Sequence, residues 1–144
     1  MRSGTENVPA IAGFGAACDY VRENLRERLR RMEELKQRCL AGIPQAVPEA
    51  VILGSHDAPH IISFGIPGLR SQGIIGALEE RGIEVSAGSA CSRGHRSHVL
   101  EAMGLPPEVV DGAFRISLSR FTAEEELAQL EAGLRAVVER MRRP

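Results

Sequence analysis

The sequence predicts an α+β fold in which helices pack against one small sheet, mixed or antiparallel. Three observations predict it. Apolar residues recur every three or four positions through a stretch that no proline interrupts between Pro9 and Pro44. Two short runs rich in β-branched residues follow, Val51-Ile52-Leu53 and Ile61-Ile62-Ser63-Phe64-Gly65-Ile66. The C-terminal segment then opens on Thr122-Ala123-Glu124-Glu125 and places Leu127, Leu130, Leu134, Val137 and Met141 at alternating steps of three and four. The full order reads helix, two strands, helix, strand, helix, strand, helix, with no internal repeat, low-complexity tract or dividing linker.

Each element has its own justification. The first helix carries Ile11, Phe14, Ala17, Val21, Leu25, Met32, Leu35 and Cys39 on its apolar stripe, and Gly42-Ile43-Pro44 closes it. From Pro9 to Leu40 it runs about 48 Å at 1.5 Å per residue, longer than a small domain is wide, so part of it leans on something outside this chain. Its second half, Arg22 to Arg38, mixes Arg and Glu as a solvated face with i,i+4 pairs does, in preference to a nucleic-acid patch, and Lys36 is placed on that face. Asp57-Ala58-Pro59 turns between the two strands. Ser71 caps a second helix carrying Ile74, Ile75 and Leu78, ended by Gly82, which suits the left-handed position after a helix. Ile83-Glu84-Val85 forms a third strand. Ser97 starts a short helix that runs through Met103 to Gly104. Ala113 to Leu118 alternates as a strand, and the capping box at Thr122 opens the last helix. The organisation expected is an N-terminal motif and connecting helix over 1–40 and a small domain over 41–144.

Composition narrows the function classes. A chain of 144 residues is long enough to bury a core without staples. A net charge of −1 gives no overall pull toward nucleic acid or membrane, and no apolar run approaches the roughly 18 residues that a span requires. The N-terminus, Met1 to Asn7, lacks the apolar core of a signal peptide, and three scattered cysteines form no disulfide framework. A soluble, cytoplasmic protein is expected.

The chemistry concentrates at one place. Gly88-Ser89-Ala90-Cys91 passes from the short apolar strand into Ser92-Arg93-Gly94-His95-Arg96, dense in small and basic residues. A thiol attacks as its thiolate, and neighbouring cations with solvent access keep it ionised, so Cys91 reads as reactive rather than as packed core. Cys18 and Cys39 sit on or near the helix stripe, where cysteine is a small inert hydrophobe. Cys91, His95 and His98 offer zinc ligands but lack a fourth, and no metal is assigned. Arg115 and Arg120 flank a strand end, where an arginine binds a carboxylate in fork geometry, pairs with a glutamate or faces water. Gly65-Ile66-Pro67-Gly68 fits no nucleotide fingerprint and reads as a turn. Lys36 is the only lysine among 18 basic residues.

Three ordered motifs carry a resemblance. Arg2-Ser3-Gly4-Thr5 ahead of the long helix, Ala87-Gly88-Ser89-Ala90-Cys91 followed by Ser97-His98-Val99-Leu100, and Phe114-Arg115-Ile116-Ser117-Leu118-Ser119-Arg120-Phe121-Thr122 resemble the C-terminal part of the pyridoxal-phosphate-dependent cysteine desulfurases of the NifS/IscS type. The resemblance implies the small domain of a fold-type I pyridoxal-phosphate enzyme, preceded by its connecting helix. It implies that Cys91 is the nucleophile that takes sulfur from L-cysteine as a persulfide and passes it to an acceptor or scaffold protein. It further implies that Arg115 binds the substrate carboxylate. It implies too that Thr5 reaches the cofactor phosphate of a partner subunit, and hence a homodimer. The family's Schiff-base lysine, pyridine-pairing aspartate and ring-stacking histidine belong to a large domain and have no counterpart here. Lys36, on a charged helix face, does not substitute, so these residues alone are expected to hold no covalent cofactor and to release no alanine from cysteine. The alternative is a stand-alone module that accepts persulfide at Cys91 from another protein without cofactor. The first reading leaves an apolar surface exposed on the Pro9 to Val21 segment; the second covers or disorders it.

Overall fold

A computed structural model describes residues 4–54, 57–87 and 96–143. Helix α1 (Val8–Ala46) starts at Asn7, whose side-chain oxygen accepts the Ala10 N–H at 3.1 Å, with Pro9 in the first turn where its missing N–H costs nothing. It does not stop at Leu40. Pro44 lies inside the helix and removes one hydrogen bond, yet Ile43, Ala46 and Val47 are all buried and Val47 N–H closes the last turn on the Ile43 carbonyl at 2.8 Å. Burial of that turn outweighs the roughly 3 kcal/mol that an interior proline costs.

Strands β1 (Val51–Leu53), β2 (Ile61–Gly65) and β3 (Ala113–Ser117) form an antiparallel sheet in that order. Alternation divides its faces. Ile62 and Phe64 of β2 and Phe114 and Ile116 of β3 point inward, against Leu35, Cys39 and Ile43 of α1, α2 (Ser71–Glu79) and α5 (Glu124–Arg142). On the other face, Leu53, Val109 and Ala113 make a smaller cluster under α3 (His98–Ala102) and α4 (Pro107–Asp111). Helix α4 was not expected from the sequence; Pro107 in its first turn and Glu108 at its N-terminal end are the local signals for it.

Four local expectations need correction. Ile83-Glu84-Val85 is not a strand. After Gly82, at φ +73°, Ile83 N–H returns to the Leu78 carbonyl at 3.0 Å to close the end of α2, and the segment meets β3 only in a single bridge, Ser86 with Arg115. Ser71 is the first residue of α2 rather than its cap, which is Arg70, with no side-chain bond. At α5 the cap is Ala123, whose methyl group accepts nothing; only the reciprocal bond forms, Ala123 N–H to Glu126 Oε2 at 2.7 Å, while Thr122 Oγ1 accepts Ser119 N–H at 2.9 Å. Lys36 leaves the charged face altogether and is buried at 0 % exposure, its Nζ donating to the Ala58 carbonyl at 2.7 Å. Placed one residue from Leu35 and three from Cys39, it falls on the inward side once the β1–β2 connection folds over it.

The N-terminal part of α1 behaves differently from the rest. Its first buried residue is Leu35, and Val8, Ile11 and Phe14 stand 65 %, 59 % and 73 % exposed. At 1.5 Å per residue the whole helix is about 58 Å long, so its N-terminal turns project past the sheet. Among the described residues, no helix is long and apolar enough to cross a membrane.

Candidate functional site

Arg115 sits at the centre of β3 and points to the outer face, exposed, while its neighbours Phe114 and Ile116 are buried. Among the described residues its guanidinium has no acidic partner. Its backbone is fully committed. Arg115 N–H donates to Ser86 O at 2.6 Å and Ser86 N–H donates to Arg115 O at 3.0 Å. This exchange fixes the chain just before Gly88, where the cysteine-bearing segment begins.

Cys91 and the flanking Ser89, Ala90, Arg93 and His95 lie outside the described residues, as do Arg2 and Ser3. The two ends of the Cys91 segment are described. Ser86 holds one end to β3. At the other, Arg96 forms a two-pronged pair with Asp111 at the end of α4, Nε to Oδ1 at 2.6 Å and Nη2 to Oδ2 at 2.8 Å, and Ser97 caps α3 by accepting the Leu100 N–H. Hydrogen bonding from Arg96 holds the Asp111 carboxyl below its usual range and raises Arg96 in turn. Arg96 is therefore engaged in an ion pair with Asp111. Cys91 stands five residues along the sequence from each of the two anchors.

Thr5 is exposed and lies ahead of the Asn7 cap. The turn after β3 meets α1 at Tyr20, where the Arg120 guanidinium stands 5.5 Å from the ring centre, and Val8 is a further 18 Å or so up the helix. One copy of the chain thus leaves Thr5 apart from Arg115. His98 opens α3, and among the described residues no group of His, Cys, Asp and Glu is arranged to hold a metal. Cys39 is buried and its thiol is pushed up to about 12, by burial first and by the nearby Glu131 second; Cys18 is exposed. Sequence reasoning missed Asp111 and Ser86. Asp111 meets Arg96 only through the fold, and nothing local marks it; Ser86 is the residue that follows an apolar run, a position from which pairing is not legible.

The family model for class-V aminotransferases matches residues 1–130. The chain belongs to the class-V aminotransferase family. A cysteine desulfurase of Nostoc sp. is 35 % identical over 98 % of this chain, and cysteine desulfurase IscS 1 of Archaeoglobus fulgidus is 33 % identical over 99 % of it. The chain spans 36 % and 38 % of those two proteins. Among solved structures, a NifS-like protein of Rickettsia africae superposes with a TM-score of 0.82 at 28 % identity, covering 96 % of this chain and 36 % of that one. The sheet with its helices is thus part of a larger pyridoxal-phosphate fold in these relatives, and the family is one of pyridoxal-phosphate enzymes.

The described residues do not by themselves fit that cofactor. A covalent site needs a lysine in a pocket open to the cofactor. The only lysine is Lys36, enclosed in the core with its ammonium bonded to a main-chain carbonyl. No step at the cofactor is assigned to this chain.

Proposed function

We propose that this chain is the sulfur-accepting part of a cysteine desulfurase, and that Cys91 takes sulfur from L-cysteine. The observation that carries the reading is the Ser86–Arg115 exchange, which ties the residue two before Gly88 to a strand residue whose guanidinium, without an acidic partner among the described residues, is suited to an amino-acid carboxylate. In the reaction a sulfur–sulfur bond forms between Cys91 and the substrate sulfur as the substrate's carbon–sulfur bond breaks. The carbon keeps the electron pair and gains a proton, so L-cysteine and a thiol become L-alanine and a persulfide. A soft thiolate suits attack on sulfur, and Arg115 holds the substrate by its carboxylate. The persulfide then passes to an acceptor or scaffold protein for iron–sulfur cluster or thio-cofactor assembly, in the cytoplasm.

The rest of the catalytic apparatus, with pyridoxal phosphate and its lysine, lies in the part of the enzyme that corresponds to the remaining length of the relatives. The exposed Val8, Ile11, Phe14 and Val21 supply the surface on which that part packs. This exposure favours the desulfurase over a stand-alone sulfur carrier, which covers or disorders the same segment. Residues 1–40 then serve as motif and connector and 41–144 as the small domain, with α1 from Leu35 onward contributing to its core. The distance between Thr5 and the sheet suits a homodimer in which Thr5 serves the partner's cofactor phosphate.

The test reads the coding DNA upstream of the Met1 codon and assays the product of any continuous frame. An open frame encoding a lysine-bearing cofactor segment, whose product releases alanine from L-cysteine with Arg115 intact and fails with Arg115→Ala, is the expected result. A stop codon close before Met1, with sulfur arriving at Cys91 only from another protein, sinks the proposal.

A further inference from the structure

The sheet register places two further hydroxyls beside Arg115. Ser63 of β2 is its cross-strand partner, and Ser86 is its partner on the other side. Leu118 N–H bonds to the His60 carbonyl and Ile66 N–H to that of Gly112, so even-numbered residues of β3 form the hydrogen-bonded pairs with β2. Ser63 and Arg115 are consequently a non-hydrogen-bonded pair, the closer kind, with Cα atoms about 4.5 Å apart; Ser86 and Arg115 form a hydrogen-bonded pair at about 5.5 Å. Partners across an antiparallel ladder project from the same face. Ser63, Arg115 and Ser86 therefore make one row, hydroxyl, guanidinium, hydroxyl, across the outer face. Leu53, paired with Ser63 and buried with Val109 and Ala113, borders the row with an apolar shoulder.

Both serines are half-buried, and among the described residues none of the three side chains has a hydrogen-bond partner. Three side chains that can donate share one row, and among the described residues no acceptor answers them. A carboxylate has about four lone-pair sites, and a guanidinium fork fills only two.

We propose that Ser63 and Ser86 bind the α-carboxylate of a small amino acid together with Arg115, each hydroxyl donating to an oxygen lone pair that the guanidinium leaves open. This rests on the desulfurase reading for Arg115 and adds two substrate-binding residues to it. The arrangement selects for a carboxylate held side-on to the sheet and directs the remainder of the amino acid away from Leu53.

Acetate is the probe, titrated into the isotope-labelled 144-residue chain at constant ionic strength and followed by NMR at the Arg115 Nε–H and the amides of Ser63, Arg115 and Ser86. Methylammonium chloride is the control. Saturable shifts with acetate alone are expected. Ser63→Ala and Ser86→Ala each weaken binding about five-fold, the effect of one hydrogen bond, and Ser63→Thr, which keeps the hydroxyl on a strand, retains the affinity. The same spectra report whether each variant is folded. Unchanged affinity in both alanine variants, with binding abolished by Arg115→Ala, overturns the serine assignment and leaves Arg115 in place. A folded Ser63→Thr variant that binds as weakly as Ser63→Ala also overturns it. Absence of any acetate shift in the unsubstituted chain removes the serines and the Arg115 reading together.

Discussion

Replacing Lys36 with methionine separates a structural lysine from a chemical one. The lysine stem is wholly buried and its Nζ donates to Ala58 O at 2.7 Å, across the fold from α1 to the β1–β2 connection. Methionine matches the stem in length and keeps its apolar contacts, so packing changes little. What is lost includes a donor to a half-buried carbonyl. A hydrogen bond from a charged group contributes about 1.5–3 kcal/mol, and the variant is relieved of desolvating an ammonium, which returns part of that. The net cost is about 1–2 kcal/mol. For a chain of this size each kcal/mol moves the midpoint by about 2–4 °C, so Tm falls by about 3–6 °C. Lys36→Ala removes the stem as well and costs about 2–4 kcal/mol. Circular dichroism during heating and in urea measures both, with an unchanged urea slope indicating that the native state is otherwise intact. A Lys36→Met variant as stable as the unsubstituted chain contradicts the burial argument. A pyridoxal-phosphate absorbance band that survives gel filtration and disappears in the variant contradicts the structural assignment itself.

The Glu124 carboxyl, held by Arg31 at 3.0 Å and Arg38 at 2.5 Å, is lowered below its ordinary value of 4.5 chiefly by the Arg31 hydrogen bond. A lowered folded value gives stability that is present above pH 4.5 and lost as the pH falls through the folded value, so Glu124→Gln flattens the acid limb of an unfolding profile and leaves neutral-pH folding intact; an acid limb of unchanged slope refutes this. In a Cys91→Ser background, Cys18 reacts with an aromatic disulfide at pH 8 in the native state, while Cys39, buried with its thiol pushed up to about 12, reacts only on unfolding. Two fast thiols contradict the packing of Cys39. Ile11→Ser with Phe14→Ser leaves the unfolding midpoint unmoved in thermal circular dichroism, because both side chains are exposed; a lower midpoint means that the chain itself covers them.

The regular elements were legible where one period dominated. The strand alternation at 61–65 and 113–117 and the leucine spacing of α5 each bury one face, and the pattern that buries them is the pattern in the sequence. Lys36 was misread for the opposite reason. Its neighbours Glu33, Glu34, Gln37 and Arg38 form a charged surface, and only the fold of the β1–β2 connection over the helix reveals a carbonyl waiting for its ammonium. The segment at 83–85 has the composition of a strand, but the end of α2 takes the Ile83 N–H first. Pro44 reads as a helix end because its local cost is visible in sequence and the burial of Ile43 and Val47 is not. Of the candidate site, the motifs picked out Arg115. The hydroxyls beside it and the Arg96–Asp111 pair depend on strand register and on contacts between distant residues, which no local spacing encodes.

The central claim is that Cys91 is the sulfur acceptor, and peptide mass mapping after turnover tests it most directly. The product of the proposed continuous frame, mixed with L-cysteine and pyridoxal phosphate and then alkylated, is digested and its cysteine peptides are weighed. The account predicts an added sulfur atom on the Cys91 peptide alone, absent in Arg115→Ala. Added sulfur on Cys18 or Cys39, or an unmodified Cys91 in an enzyme that is releasing alanine, contradicts it.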